Sequence, residues 1–337
     1  MEEKQTSLPS IILCGYERGG TTLLSQIFRE NGYVSGFEVG VLLCESPKHF
    51  LNFKPYVDML PAGWGLGQRI SMEELCKGDF AYFYRKLLAT AYPRYKNLPC
   101  FDKTPAYMSR LGYVLSQTEF INKAVVITRD PRAVFVSWAK RALGDDKASP
   151  KNVEKLVLQK LKPYTQRYLE YFYGCIAHRN NPSVHFVAYE QLCINSQREV
   201  SALGRFACNE SFSLALLTHK FNNVYGDHVS TENVLEFDRF LSASAQTQVL
   251  EANKFAANFF CDVTETLNYL WAWQDIEAKV ISVLEKYDLA NVRQLQVGGE
   301  VFEPETYLFK NQDVLQRKAN PVDHYIKFGK GEGRLPC

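Results

Sequence analysis

The sequence of 337 residues lacks several features that define common protein classes. None of its nine cysteines forms a Cys-x-x-Cys pair, which argues against structural zinc, and their odd number is typical of buried thiols in a reducing compartment. Lysine and arginine total 39, against 37 for aspartate and glutamate. A net charge of +2 argues against a nucleic-acid-binding protein, which normally has a strong basic excess. Any anionic ligand must therefore be bound by local groups.

Long hydrophobic runs are also missing. No apolar run approaches the roughly 20 residues that span a bilayer, so no transmembrane segment is predicted. The first residues carry two glutamates and no apolar stretch, which is unlike a signal peptide. Together these absences predict a cytoplasmic protein.

The chain does contain a regular alternation of apolar runs and helical patterns. The short runs at 10–14, 123–128 and 184–189 are typical of buried strands in a parallel sheet. Helical patterns separate them, the longest at 73–91 and 153–177. The prediction is an α/β fold with a P-loop-like, mostly parallel sheet flanked by helices on both faces.

The composition changes near the end of the chain. Residues 304–336 are aromatic, basic and rich in glycine, unlike the segments before them. The length is sufficient for one large domain with a small appendage. We therefore predict a main domain at 8–290 and a small C-terminal module at 300–337.

A glycine-containing loop joins the first strand to the first helix. Residues 15–22 read Gly-Tyr-Glu-Arg-Gly-Gly-Thr-Thr, which has the G-x-x-x-x-G frame of a Walker A loop. Backbone N–H groups of such a loop and of the helix that follows point into one concavity and attract an anion. Gly19 and Gly20 allow a close approach of the backbone, and the Thr21 and Thr22 hydroxyls can donate to phosphate oxygens. A glycine-rich turn without a ligand is the alternative.

The basic residue of this loop is not at the position of the Walker A lysine. Thr21 stands where a nucleotide triphosphatase has the lysine that reaches the β- and γ-phosphates. The basic residue is Arg18 instead, inside the loop, where it suits an anion shorter than a triphosphate chain. A P-loop kinase of a small molecule is therefore the weaker alternative.

A second candidate phosphate-binding segment follows the strand at 123–128. Arg129 lies at the end of this strand, and Ser137 lies eight residues further on, in the next helix. This offset across a strand, a turn and a helix can bring a guanidinium and a hydroxyl to one phosphate. The alternative is an ordinary strand–helix junction with Arg129 in a surface ion pair.

Four segments, in the same order as in the family, resemble those of sulfotransferases that use 3'-phosphoadenosine-5'-phosphosulfate (PAPS). Residues 16–24 resemble the 5'-phosphosulfate loop of the bacterial and tyrosylprotein enzymes that carry arginine there, and 126–137 resemble the 3'-phosphate motif. The segments 101–105, Phe-Asp-Lys-Thr-Pro, and 189–192, Tyr-Glu-Gln-Leu, resemble two further family segments. The likeness covers roughly residues 10–275.

Two departures from the family pattern are visible. Glu17 and Gly19 stand where the loop usually has proline and serine, and the Lys-Thr-His segment that carries the histidine base of small-molecule sulfotransferases is absent.

The resemblance implies a donor site for PAPS, with 3'-phosphoadenosine-5'-phosphate (PAP) as product and no metal required. It implies the following donor-binding residues: Arg18, Gly19, Gly20, Thr21, Thr22, Arg129, Ser137 and Tyr189.

The resemblance also implies the catalytic groups of an in-line displacement at sulfur. Arg18 is expected to stabilise negative charge at the bridging oxygen, and Lys103 is expected to be a second cation. The acceptor needs a general base. Glu38, twenty residues after Arg18, is the first candidate, Glu45 is its rival, and His49 ranks below both.

The acceptor is suggested by the end of the chain. The segment from Tyr307 to Arg334 resembles a short module appended to bacterial glycosyltransferases, which implies a bacterial source and a carbohydrate or glycolipid acceptor. A C-terminal helical segment packed for stability is the alternative. Residues 222–230 and Arg239 loosely resemble a late donor-binding loop. A non-catalytic protein that binds PAP or a glycan is a further alternative function.

Overall fold

The computed structural model describes residues 8–94, 98–213, 234–254, 256 and 278–337. The chain divides into two compact units. The first unit comprises Met1–Tyr107, Val114–Thr128 and Asn181–Thr231, and the second comprises Met108–Tyr113, Arg129–Asn180 and Glu232–Cys337.

The first unit contains a four-stranded sheet in which every neighbouring pair is parallel. The strands are β1 (Ile11–Gly15), β2 (Phe101–Lys103), β3 (Lys123–Thr128) and β4 (Val184–Ala188), in the order β2-β1-β3-β4. The apolar side chains of β1 and β3 are almost completely buried, as a strand covered on both faces requires. Parallel strands end at the same edge, so the segments that follow β1, β2 and β4 begin at one edge of the sheet.

Helices flank this sheet. Helix α1 (Thr21–Glu30) buries Leu24, Ile27 and Phe28, an i, i+3, i+4 face, and ends at Asn31. The other labelled helices of the unit are α2 (Pro47–Phe50), α3 (Tyr56–Gly63), α4 (Met72–Leu75), α5 (Phe80–Ala91), α10 (Tyr189–Ile194) and α11 (Ser196–Cys208), while α6 (Leu111–Ser116) belongs partly to each unit. The predicted α/β fold with a parallel sheet and flanking helices is confirmed.

The prediction of one helix at 73–91 is wrong in detail. The structure divides it into α4 and α5, because Asp79 caps a new helix by accepting a hydrogen bond from the backbone N–H of Tyr82 at 2.7 Å. Gly78 precedes this cap and weakens the continuous helix that the apolar pattern favours.

The second unit is helical around α7 (Pro131–Leu143), α8 (Pro150–Gln159), α9 (Leu161–Cys175) and α12 (Ala243–Ala252). The single helix predicted at 153–177 is broken at Lys160. Pro163 explains the break, since its ring is tolerated in the first turn of a helix but not in a helix interior.

The C-terminal residues begin with an antiparallel hairpin, β5 (Leu295–Val297) and β6 (Glu300–Phe302). Short helices follow at Pro304–Lys310, Gln312–Gln316 and Pro321–His324, before a π-helical turn at Tyr325–Gly329. The boundary between a domain at 8–290 and a module at 300–337 stays a prediction.

A buried, hydrogen-bonded carboxylate lies inside the second unit. Glu303 is 1% exposed and accepts hydrogen bonds from Gln294 at 2.8 Å and Thr306 at 2.8 Å, and its carboxylate lies 3.1 Å from Nε2 of His178. Burial alone would raise the pKa of Glu303, but these three partners together lower it. The carboxylate therefore ties the segment after β6 to residues near α9.

Eight cysteines fall in the described part of the chain, where they are thiols, and all except Cys208 are buried. Among the helices described, none is long and apolar enough to cross a bilayer.

Candidate active site

The loop after β1 has a backbone shape that glycine makes possible. The N–H of Gly19 donates to the carbonyl of Tyr16 at 2.8 Å and closes a tight turn. Arg18 and Gly20 both have left-handed backbone angles, with φ of 65° and 101°. The carbonyl of Gly20 then accepts the first helical hydrogen bond, from Leu24 at 3.0 Å. The loop therefore reverses direction within a few residues and opens directly into α1.

Gly20 is required here by a close contact as well as by its backbone angle. A methyl group at this position would lie 2.5 Å from Cδ2 of Tyr189 and 3.1 Å from Cδ1 of Ile127. Tyr189 directly follows β4 and is 8% exposed. The structure thus brings Tyr189 to the glycine loop, two segments that the sequence predicted to share one donor site.

The start of α1 is open to an anion. Gly20 occupies the capping position and has no side chain to bind the first amides, and no acidic residue lies in the first turn. The positive end of the helix dipole therefore lies beside the loop without a local counter-charge from that turn. Arg18 and Thr22 are exposed, whereas Thr21 is 5% exposed.

An ion pair joins two of the predicted catalytic residues. Nζ of Lys103 lies 3.1 Å from Oε1 of Glu38, with the side chains 4% and 19% exposed. Lys103 is the last residue of β2, and its ammonium also lies 4.7 Å from the ring centroid of Phe37. Burial lowers the pKa of Lys103, and the neighbouring Glu38 partly opposes this shift.

The rival base lies in a different environment. The side chain of Glu45 is 81% exposed and lies 3.5 Å from His49, itself 60% exposed. Exposed pairs of this kind contribute little energy and leave both groups hydrated. Of these three candidates for the base, only Glu38 therefore lies in a largely buried ion pair.

The two residues predicted to bind the 3'-phosphate, Arg129 and Ser137, lie in the second unit. Arg129 directly follows β3, and Ser137 lies in the middle of α7. Arg129 is 7% exposed, and its carbonyl accepts a hydrogen bond from the hydroxyl of Tyr168 at 2.7 Å. Asp130 caps α7 and forms a 2.6 Å ion pair with Arg132. Ser137 is half-buried on α7.

The late donor-binding segment at 222–230 lies outside the described residues. Arg239, which belongs to the same loose resemblance, is exposed at the end of the short helix Glu236–Arg239. Across the described ranges, no three His, Cys, Asp or Glu side chains form a group that could hold a metal ion.

Comparison with known families identifies the chain. Residues 8–236 match the family described as "Sulfotransferase domain". The chain belongs to the sulfotransferase family. It is therefore an enzyme of sulfuryl transfer, and the predicted family of PAPS-dependent sulfotransferases is confirmed.

Two solved structures resemble the fold of this sulfotransferase. The sulfotransferase domain from the curacin biosynthetic pathway is 16% identical with a TM-score of 0.50, and the alignment covers 73% of this chain and 97% of that domain. The sulfotransferase domain of the olefin synthase from Synechococcus PCC 7002 is 17% identical with a TM-score of 0.51, covering 78% and 98%. A search of curated proteins finds no match to this chain.

The sequence did not predict one hydrogen-bonded part of the candidate site. The backbone N–H groups of Val39 and Gly40 donate to the hydroxyl of Thr104, at 3.1 and 3.0 Å. Thr104 in turn donates to the buried carboxylate of Asp102 at 3.1 Å. The segment that contains Glu38 is therefore attached to the end of β2. An aspartate inside an apolar strand was the available signal, because a buried carboxylate needs hydrogen-bond donors.

Proposed function

We propose that this sulfotransferase transfers a sulfuryl group from PAPS to a hydroxyl or amine of a carbohydrate or glycolipid by in-line displacement. The observation that carries the proposal is the ion pair of Glu38 and Lys103 at the carboxyl edge of the sheet. This edge is also the one from which the glycine loop begins, and ligands of open α/β sheets bind at that edge.

The residues of the first loop fit the 5'-phosphosulfate end of the donor. Gly20 allows the backbone to follow a path that a methyl group would block, and the uncapped start of α1 presents amides to an anion. Arg18 and Thr22 are exposed beside these amides. When bound, PAPS supplies an activated sulfuryl group. Arg129 and Ser137 are proposed to bind its 3'-phosphate, on the basis of their motif.

Glu38, Lys103 and Arg18 have distinct roles in the proposed reaction. Glu38 accepts the proton of the acceptor hydroxyl at a carboxylate oxygen. Lys103 holds this carboxylate in place and, with Arg18, places positive charge where negative charge develops. Arginine is always protonated, so Arg18 stabilises charge and does not deliver a proton.

The acceptor class rests on two observations. Phe37 is 43% exposed beside Lys103, and aromatic surfaces of this kind commonly line ligand sites. The C-terminal segment resembles a module of bacterial glycosyltransferases, which supports a glycan acceptor and a bacterial source. Action in the cytoplasm is proposed from the cysteine pattern, which is typical of thiols in a reducing compartment.

Calorimetric titration with PAP tests the donor site. We expect wild-type protein to bind PAP, and Arg129→Ala to weaken binding roughly 10- to 100-fold, because hydrogen bonds to charged groups contribute about 1.5–3 kcal/mol. Arg141→Ala is the matched control: this exposed arginine lies on α7 and its loss changes the net charge equally. Absence of binding at millimolar PAP, or equal losses in both variants, contradicts the proposal.

Transfer assays with radiolabelled PAPS test the acceptor. Label on bacterial envelope glycans is expected, whereas label on none of them contradicts the acceptor class. Binding of PAP without turnover of PAPS, even with water as acceptor, would favour the non-catalytic alternative.

A further inference from the structure

A buried carboxylate lies directly before Lys103 and is surrounded by hydroxyl groups. Asp102 is completely buried. Tyr84 and Tyr107 both donate to its Oδ2, at 2.5 and 2.7 Å, and Thr104 donates to its Oδ1 at 3.1 Å. A buried carboxylate with three donors is compensated for the loss of water.

Backbone N–H groups and the carboxylate set the direction of the hydrogen bonds at the two ends of this network. The backbone N–H groups of Val39 and Gly40 can only donate, so the oxygen of Thr104 accepts from both. The N–H of Leu42 likewise donates to the hydroxyl oxygen of Tyr107, at 3.5 Å. The carboxylate of Asp102 can only accept when ionised, so it receives the proton of Thr104 at Oδ1, at 3.1 Å, and that of Tyr107 at Oδ2, at 2.7 Å.

The amides held in this way immediately follow the proposed base. We propose that Asp102 is a positioning residue, which through Thr104 fixes the backbone after Glu38. The carboxylate of Glu38 is thereby held against Lys103 in the geometry that proton transfer needs. This inference rests on the proposed function, because it gives the network a role in that same reaction.

The charge of Asp102 matters as well as its shape. Burial raises the pKa of Asp102 to about 6, and the hydrogen bonds from Tyr84, Tyr107 and Thr104 oppose the rise, so the group is ionised at neutral pH. An amide of the same shape would place an NH₂ donor against a hydroxyl that is itself donating. The network therefore needs a carboxylate at position 102. Lys103, the next residue of the strand, points to the opposite face.

A pair of variants at position 104 tests the inference without removing the buried charge. Thr104→Val keeps the shape and loses the hydroxyl, whereas Thr104→Ser keeps the hydroxyl. We expect Thr104→Val to lower the turnover of PAPS with water as acceptor by about 10²-fold, since a misplacement near 1 Å has that effect. Thr104→Ser is expected to retain most of the wild-type rate, and both variants are expected to bind PAP like the wild type.

The measurements are single-turnover release of sulfate from radiolabelled PAPS, PAP calorimetry and crystal structures of both variants. Wild-type turnover in Thr104→Val overturns the inference, and so does an equal loss of PAP affinity and turnover, which indicates general damage to the fold.

The crystal structures separate this inference from the proposed function. If wild-type protein neither binds PAP nor turns over PAPS, the proposed function fails. Even then, the position of Glu38 in the crystal structures decides whether Asp102 and Thr104 have a positioning role. A Glu38 displaced from Lys103 in Thr104→Val but not in Thr104→Ser supports this role, and a Glu38 that has not moved in Thr104→Val overturns it.

Discussion

Glu38 and Lys103 form a 3.1 Å ion pair although they are 65 positions apart in the sequence. The lysine side chain is almost completely buried, so its charge is little screened by water and acts strongly on its neighbour. The glutamate is more exposed and remains accessible to an incoming group. One carboxylate oxygen is therefore held by a buried cation at the edge where the glycine loop begins.

Replacing the proposed base tests this pair. We expect Glu38→Gln to lower the rate of sulfuryl transfer by roughly 10²- to 10⁴-fold, the usual contribution of a general base, with PAP affinity little changed. Glu45→Gln removes the same charge from an exposed side chain and should leave the rate near wild type. Single-turnover kinetics with labelled PAPS would measure both, and a larger loss in Glu45→Gln would reverse the assignment.

Arg18 combines a functional charge with an unfavourable backbone angle. Its φ of 65° is unfavourable for a residue with a side chain but not for glycine. We expect Arg18→Gly to be more stable than Arg18→Ala by about 1 kcal/mol, while both lose PAP affinity equally. Urea unfolding and calorimetry measure the two effects. Equal stability of the variants would show that the loop relaxes.

Gly20→Ala tests the contact between the loop and Tyr189. The added methyl group would lie 2.5 Å from the tyrosine ring, so the loop must shift and PAP affinity should fall at least about tenfold, or about 1.4 kcal/mol. Gly32→Ala is the control, because Gly32 has a similar φ of 88° with no atom within 4 Å of the added methyl. It should lose about 1 kcal/mol of stability and no PAP affinity. Equal PAP binding by both variants would contradict the contact.

The pH dependence of stability depends on Asp102. Burial raises its pKa from 3.8 to about 6, so the folded state binds a proton more tightly than the unfolded state. This group therefore makes the free energy of unfolding fall as pH rises from 4 to 6. Urea unfolding across this range should show a steeper fall for wild type than for Asp102→Asn. The ionisable groups that interact electrostatically with Asp102 are Tyr84, Tyr107, Cys14 and Cys100, together with Lys103, which follows it on β2 and points to the opposite face of the strand.

The buried carboxylate of Glu303 should matter for the second unit. In Glu303→Gln, an NH₂ donor replaces one of the two carboxylate oxygens that contact the three partners of Glu303. We expect the free energy of unfolding to fall by about 1–3 kcal/mol. Glu305→Gln, which breaks the partly exposed ion pair with Arg179, should cost less than about 1 kcal/mol. Thermal unfolding compares the two variants, and equal shifts would contradict the role of burial.

Local patterns predicted much of the architecture and missed details that were present in the sequence. The runs at 10–14, 123–128 and 184–189 became strands of one parallel sheet. The helix predicted at 153–177 was wrong at Lys160, although Pro163 carried the signal for a break. The spacing of apolar residues alone does not reveal where a helix is interrupted.

The glycine loop, the parallel strands and the family could be predicted from local sequence, because these depend on apolar runs and on spacings within a short stretch of chain. Long-range packing places Glu38, and not Glu45, against Lys103, and it places Thr104 between the carboxylate of Asp102 and the backbone after Glu38. These contacts arise because the pairing of β2 with β1 buries a carboxylate and an ammonium on adjacent residues, Asp102 and Lys103. Partners for such charges come from distant segments, and only packing selects them.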